Sequence, residues 1–107
     1  MKYLVLFLLS FNLNAVDFAD VQEQIFDAKC VMCHSGPFAP IGLDLSTYGS
    51  IITNPPFQVV VKGDPANSIL YNAVLSGRMP ARGSRLDQEE LKLVYDWIKA
   101  GAPEFED

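Results

Sequence analysis

The chain has 107 residues, half of them hydrophobic, and thirteen Asp and Glu against eight Lys and Arg give it a net charge of −5. That length holds one domain and no more. An acidic chain is a poor nucleic-acid binder, because phosphate contacts need clustered cations.

Met1-Lys2 supplies one positive charge, Tyr3 to Leu9 is an unbroken apolar run, and polar Ser10, Asn12 and Asn14 lead to the small residue Ala15. This is the order of a secretory signal peptide, with cleavage expected after Ala15 although Leu13 is not the small residue favoured upstream of the cut. A short buried helix would give the same pattern. An uncleaved anchor is the other alternative, but the run is well short of the ~20 apolar residues that span a bilayer. Residues 1–15 are therefore read as a signal and residues 16–107 as one exported domain. Removing the signal takes Lys2 with it, leaving 92 residues and a net charge of −6. A chain so short gains from a large buried apolar cofactor.

Asp17 and Asp20 offer N-caps for a helix running to about Lys29, with Val21, Ile25 and Phe26 at helical spacing and Gln22, Glu23, Asp27 and Lys29 facing out. The helix delivers Cys30-Val31-Met32-Cys33-His34. A Cys-x-x-Cys-His run is the attachment signature for c-type haem. Each thiol adds across one haem vinyl group to form a thioether, and the two intervening residues let one tight turn reach both. His34 then lies where its imidazole can take a proximal axial position on the iron. The alternatives are weaker. A structural zinc site needs more Cys or His ligands, and the chain has two Cys and one His. A redox dithiol calls for alternating strands and helices around it, and a disulfide over so short a loop would brace almost nothing.

Gly36 to Thr53 is rich in Gly, Pro and Ser and reads as loop with one short helical turn that Ser46 would cap. A backbone carbonyl in it is expected to accept a hydrogen bond from the free ring N–H of His34. Leu43 and Leu45 are candidate pocket walls or ordinary core, and Tyr48 either reaches a haem propionate or lies on the surface. After the Asn54-Pro55-Pro56 break, Phe57 to Lys62 reads as extended. Asp64 and Pro65 predict a helix start, Ile69, Leu70, Ala73 and Val74 share one face, and Gly77 stops the helix. Pro80 keeps Met79 on a fixed extended loop. Asp87 with Glu90 forms a capping box for the last helix, with Leu86 and Leu91 placed as a hydrophobic staple. Leu91, Val94, Tyr95 and Ile98 form its apolar stripe, Gly101 ends it, and the acidic tail from Glu104 is expected to fray.

Counting decides the candidate for the sixth iron ligand. His34 is the only histidine, Met1 leaves with the signal, and Met32 lies between the cysteines and cannot reach the opposite haem face. Met79 remains, on a loop stiffened by Gly77 and Pro80; its alternative role is to fill a gap in the core. His/Met ligation would close both axial positions and raise the reduction potential, which suits an electron carrier rather than an enzyme. Arg78, Arg82 and Arg85 make a basic patch that pairs with propionates, docks an acidic redox partner, or is simply solvated.

The helix into Cys-x-x-Cys-His, the Arg78-Met79-Pro80 loop and the amphipathic C-terminal helix resemble a small class I monohaem c-type cytochrome. Val61-Lys62-Gly63-Asp64-Pro65, Ser68-Ile69-Leu70 and Trp97-Ile98-Lys99-Ala100-Gly101-Ala102 are similar to planctomycete-type cytochrome c domains. The resemblance implies an all-α cytochrome c fold of three to five helices around one covalent haem c, with the first and last helices crossing. It implies haem attachment at Cys30 and Cys33, His34 as proximal and Met79 as distal ligand, and loading outside the cytoplasm, hence a periplasmic carrier serving redox partner proteins with no stable membrane span. Two further readings stay open: a gas-binding or sensing protein with a displaceable Met79, and an electron-entry subunit of a redox enzyme complex.

Overall fold

The computed structural model describes residues 16–31, 33–53 and 57–105. The expected signal peptide, Met32, the Asn54-Pro55-Pro56 break and the last two residues lie outside that description. The described residues are helical and contain no strand: α1 is Phe18–Val21, α2 Tyr48–Ile52, α3 Ile69–Leu75 and α4 Gln88–Lys99, with 3-10 turns at Pro40–Gly42 and Pro65–Asn67. The all-α expectation holds.

Asp17 and Asp20 form a reciprocal cap, each carboxylate accepting the other's N–H at 3.3 and 3.0 Å, so α1 begins where expected. Its continuation differs from a regular α-helix. Gln22–Cys30 is a π-helix, closed by the Val31 N–H to the Phe26 carbonyl at 2.9 Å. A five-residue hydrogen-bonding step aligns residues five apart. Val21, Phe26 and Val31 thereby follow one another on the core side, and Ile25 brings Cys30 with it.

The first helical run packs against α4 through aromatic rings: Trp97 lies 5.9 Å from Phe18 and 6.2 Å from Phe26, centroid to centroid. At the other end Lys29 pairs with Glu90 at 2.9 Å, so Lys29 is engaged instead of facing out. Gln22 is also turned inward, its side-chain amide donating to the Ser46 carbonyl at 2.9 Å.

The chain after α4 is pinned as far as Glu104, the first residue of the tail expected to fray. The Trp97 indole N–H donates to the Pro103 carbonyl at 2.9 Å, the Tyr48 hydroxyl to Ala102 at 2.7 Å, and the Phe18 N–H to Glu104 at 3.3 Å. A buried indole and an orphan helix N–H each need an acceptor, and the tail carbonyls supply them.

Two helix starts also move. Thr47, not Ser46, caps α2 in a box with Ser50, because the hydroxyl and N–H of Ser46 are already bound to Asp44 at 2.6 and 2.9 Å. The helix expected from Asp64 breaks into the 3-10 turn and α3. The cause is Ser68, fully buried, whose hydroxyl donates to the Asp64 carbonyl and accepts the Val61 N–H, both at 2.9 Å. The loop so knotted is fastened to α4 by the Gly63 N–H on the Ile98 carbonyl at 2.8 Å.

Candidate functional site

A cavity of about 680 Å³ lies between the end of the π-helix, the loop through Leu43 and Leu45, residues 57–59, α3 and the loop that follows it. Cys30, Cys33, His34 and Met79 all line it. Residues as far apart in the chain as His34 and Met79 thus meet at one void. All four residues of the expected α3 face, Ile69, Leu70, Ala73 and Val74, line it as well, as do Leu43 and Leu45.

The cysteine turn is tight because one acceptor serves two donors: the Cys30 carbonyl takes the N–H of Cys33 at 3.2 Å and of His34 at 2.9 Å. Cys30 is half-buried and Cys33 exposed. Burial pushes the Cys30 thiol up to about 11, with the Lys29 charge pulling the other way, so at neutral pH it keeps its proton.

His34 is held from two sides. Its Nδ1 lies 3.0 Å from the Leu43 carbonyl, and its own carbonyl accepts the Leu45 N–H at 2.8 Å. A carbonyl only accepts, so Nδ1 carries the hydrogen and Nε2 keeps its lone pair for a metal. The expected acceptor in the Gly36–Thr53 loop is therefore Leu43. Between these two contacts sits Asp44, which sequence reasoning passed over. Hydrogen bonds from the Ser46 hydroxyl and N–H, joined by the Gly36 N–H, hold its carboxyl below the usual carboxylate range. The Asp-x-Ser spacing of an Asx turn was the available signal.

Met79 is placed by the end of α3. Gly77 takes the left-handed conformation, φ +82°, and its N–H returns to the Val74 carbonyl at 3.3 Å. The Met79 N–H then bonds the Ala73 carbonyl at 3.0 Å, fixing the methionine backbone to a helix that forms the cavity wall. Met79 itself is exposed and lines the cavity.

The three arginines separate. Arg78 and Arg82 line the cavity, whereas Arg85 does not and donates to the Ser76 carbonyl at 2.9 Å. Tyr48 is not at the site; its hydroxyl is spent on Ala102 and its ring packs edge-on to Phe18 at 5.3 Å.

Residues 18–98 match the family model described as cytochrome C oxidase, cbb3-type, subunit III. The chain belongs to this family. It is a small c-type cytochrome domain that carries haem c, the class expected from its motif. No match was found among curated proteins or among solved structures.

The cavity of this cytochrome fits the group. Its volume falls within the range of about 300–1,000 Å³ usual for cofactor pockets. Among the described residues that line it, Lys29, Arg78 and Arg82 carry charge and no carboxylate does; Lys29 is already paired with Glu90, so Arg78 and Arg82 make the cationic part of the lining. In an acidic chain, this cationic rim on an apolar pocket suits a flat apolar macrocycle bearing two propionates.

Proposed function

We propose that this cytochrome is an exported, periplasmic electron carrier whose haem is bonded to Cys30 and Cys33 and ligated by His34 and Met79. The observation that carries the reading is the meeting of those four side chains at one apolar cavity, with His34 Nε2 left free by the Nδ1–Leu43 contact. When bound, the haem supplies an iron that exchanges one electron between its ferric and ferrous states. The chain does the rest. His34, fixed in one tautomer, gives a nitrogen donor, and Met79 gives a thioether that favours the ferrous state. With both committed, no position stays open for a substrate. Arg78 and Arg82 hold the propionates. The N-terminal pattern of Lys2, the apolar run and Ala15 supports export, and among the described residues no helix is long and apolar enough to cross a membrane.

The family description also favours a second reading, in which the domain feeds electrons into an oxidase complex. Copurification of the chain with other haem-bearing subunits would support that reading, and isolation as a free protein the first.

Spectra of the purified ferric protein beside Met79→Ala test the ligation. The wild type should be low-spin, with the near-infrared thioether-to-iron charge-transfer band, and the variant should lose both features. A high-spin wild type, or a spectrum indifferent to the substitution, overturns the Met79 assignment. Prompt carbon monoxide binding by ferrous wild type would make the protein a gas binder. Cys30→Ser/Cys33→Ser should abolish the haem staining that survives denaturing electrophoresis, and its persistence would refute covalent attachment.

A further inference from the structure

We propose that Arg85 is a positioning residue for the sixth iron ligand, clamping the Met79 loop shut across Gly77; this rests on the reading that Met79 ligates the iron. The loop leaves α3 at Ser76 and returns at Leu86, just before the Asp87 cap of α4. Leu86 is buried, but residues 81–85 are all exposed, so packing along that stretch holds little. The backbone anchors are the Met79 N–H on Ala73 and the weaker Arg78 N–H on the Ser76 hydroxyl, at 3.0 and 3.3 Å.

Arg85 joins the two ends of the loop. Its Nη2 donates at 2.9 Å to the Ser76 carbonyl, one of the groups that a helix C-terminus leaves without a partner. The guanidinium reaches it by lying where a side chain on residue 77 would be. A Cβ on Gly77 would fall 1.9 Å from Nη2 and 2.1 Å from Cζ. Gly77 is thus required twice, for its left-handed φ of +82° and for the room it leaves the clamp. The bond is charge-assisted and crosses the stem of the loop, nine residues apart in the chain. Without it the loop opens more often, and an added ligand competing for the iron meets the open state more often.

The test uses the haem-loaded protein and imidazole as competitor. Arg85→Ala should bind imidazole roughly fivefold more tightly, the scale of one ordinary hydrogen bond for a guanidinium that is solvent-exposed, and lose the thioether-to-iron band at a lower temperature than wild type. Arg85→Lys, which restores one cationic donor, should recover part of the difference. In a Met79→Ala background, Arg85→Ala should leave imidazole affinity unchanged, since the clamp then has no ligand to hold. Unaltered imidazole affinity in Arg85→Ala, with the band intact, would overturn the proposal and leave Met79 ligation standing. An equal effect in the Met79→Ala background would also overturn it, because Arg85 would then act on the fold at large. Absence of the band from wild type sinks both readings together.

Discussion

Asp44 lies between the two backbone groups that grip His34. Leu43 accepts from the imidazole and Leu45 donates to the His34 carbonyl, while the Asp44 carboxylate folds back on Ser46 and fixes the turn between them. Those bonds favour the ionised form and lower its pKa. A carboxyl depressed in the folded state adds stability that is whole above its unfolded value and is lost as pH falls through the folded one. The unfolded value is about 4, so the contribution fades below that. Asp44→Asn, which cannot titrate there, should be less stable than wild type at neutral pH and should converge with it as the pH falls below the unfolded value of about 4. Urea denaturation at several pH values measures this, and a constant difference across the range would count against the role. At this scale the proposed haem residues were legible by counting, since one histidine and one eligible methionine left no choice. The Leu43 carbonyl and the Arg85 clamp were not, because each depends on how a loop folds back, whereas Asp44 carried only the local Asp-x-Ser signal. Of the two readings of Tyr48, the propionate contact fails for the same reason: the acceptor of its hydroxyl lies 54 residues away.

Glu90 ties a helix end to a helix pair. Its Oε1 accepts the Asp87 N–H at 2.9 Å, closing the capping box of α4, and also the Lys29 ammonium at 2.9 Å from the end of the π-helix. One oxygen therefore serves start and docking together. Glu90→Gln keeps an acceptor for the cap and gives up the ion pair, which should cost below about 1 kcal/mol for a pair still partly exposed. Glu90→Ala loses both and should cost about 1–2 kcal/mol. A thermal-denaturation cycle with Lys29→Met separates the parts; if Lys29→Met costs as much in the Glu90→Gln background as in wild type, the pair contributes nothing. The α4 box could be read from sequence because cap and partner are three residues apart and the further bond from Lys29 to Glu90 leaves the box intact. At α2 and α3 something does compete: Asp44 takes Ser46, and the Val61 and Asp64 backbones take Ser68. The π-helical register was hidden because Val21, Ile25 and Phe26 fit steps of four and of five equally well.

The whole molecule divides its core between residues that protein alone encloses and residues that face the cavity. Phe18, Phe26, Val94, Trp97 and Ile98 are buried and none lines the void. Leu43, Leu45, Val59, Leu70 and Val74 belong to the same core yet form the cavity wall. An apolar wall around a space of this size lacks contact atoms on one side until the macrocycle fills it, and a domain this short has little core to spare. Stability should therefore depend on haem unevenly. In the haem-free Cys30→Ser/Cys33→Ser protein, amides of α4 and the first helical run should keep measurable hydrogen-exchange protection, because the Trp97 cluster and the pinned tail are complete without cofactor. Protection in α3 and in the loop bearing Met79 should fall to near that of an unfolded chain, and return when haem is attached to the unsubstituted protein. Uniform loss across all helices would mean instead that the aromatic cluster cannot stand alone and that haem nucleates the whole fold. Uniform retention would mean that the cavity wall closes without it, and that the two parts of the core do not differ in their need for haem.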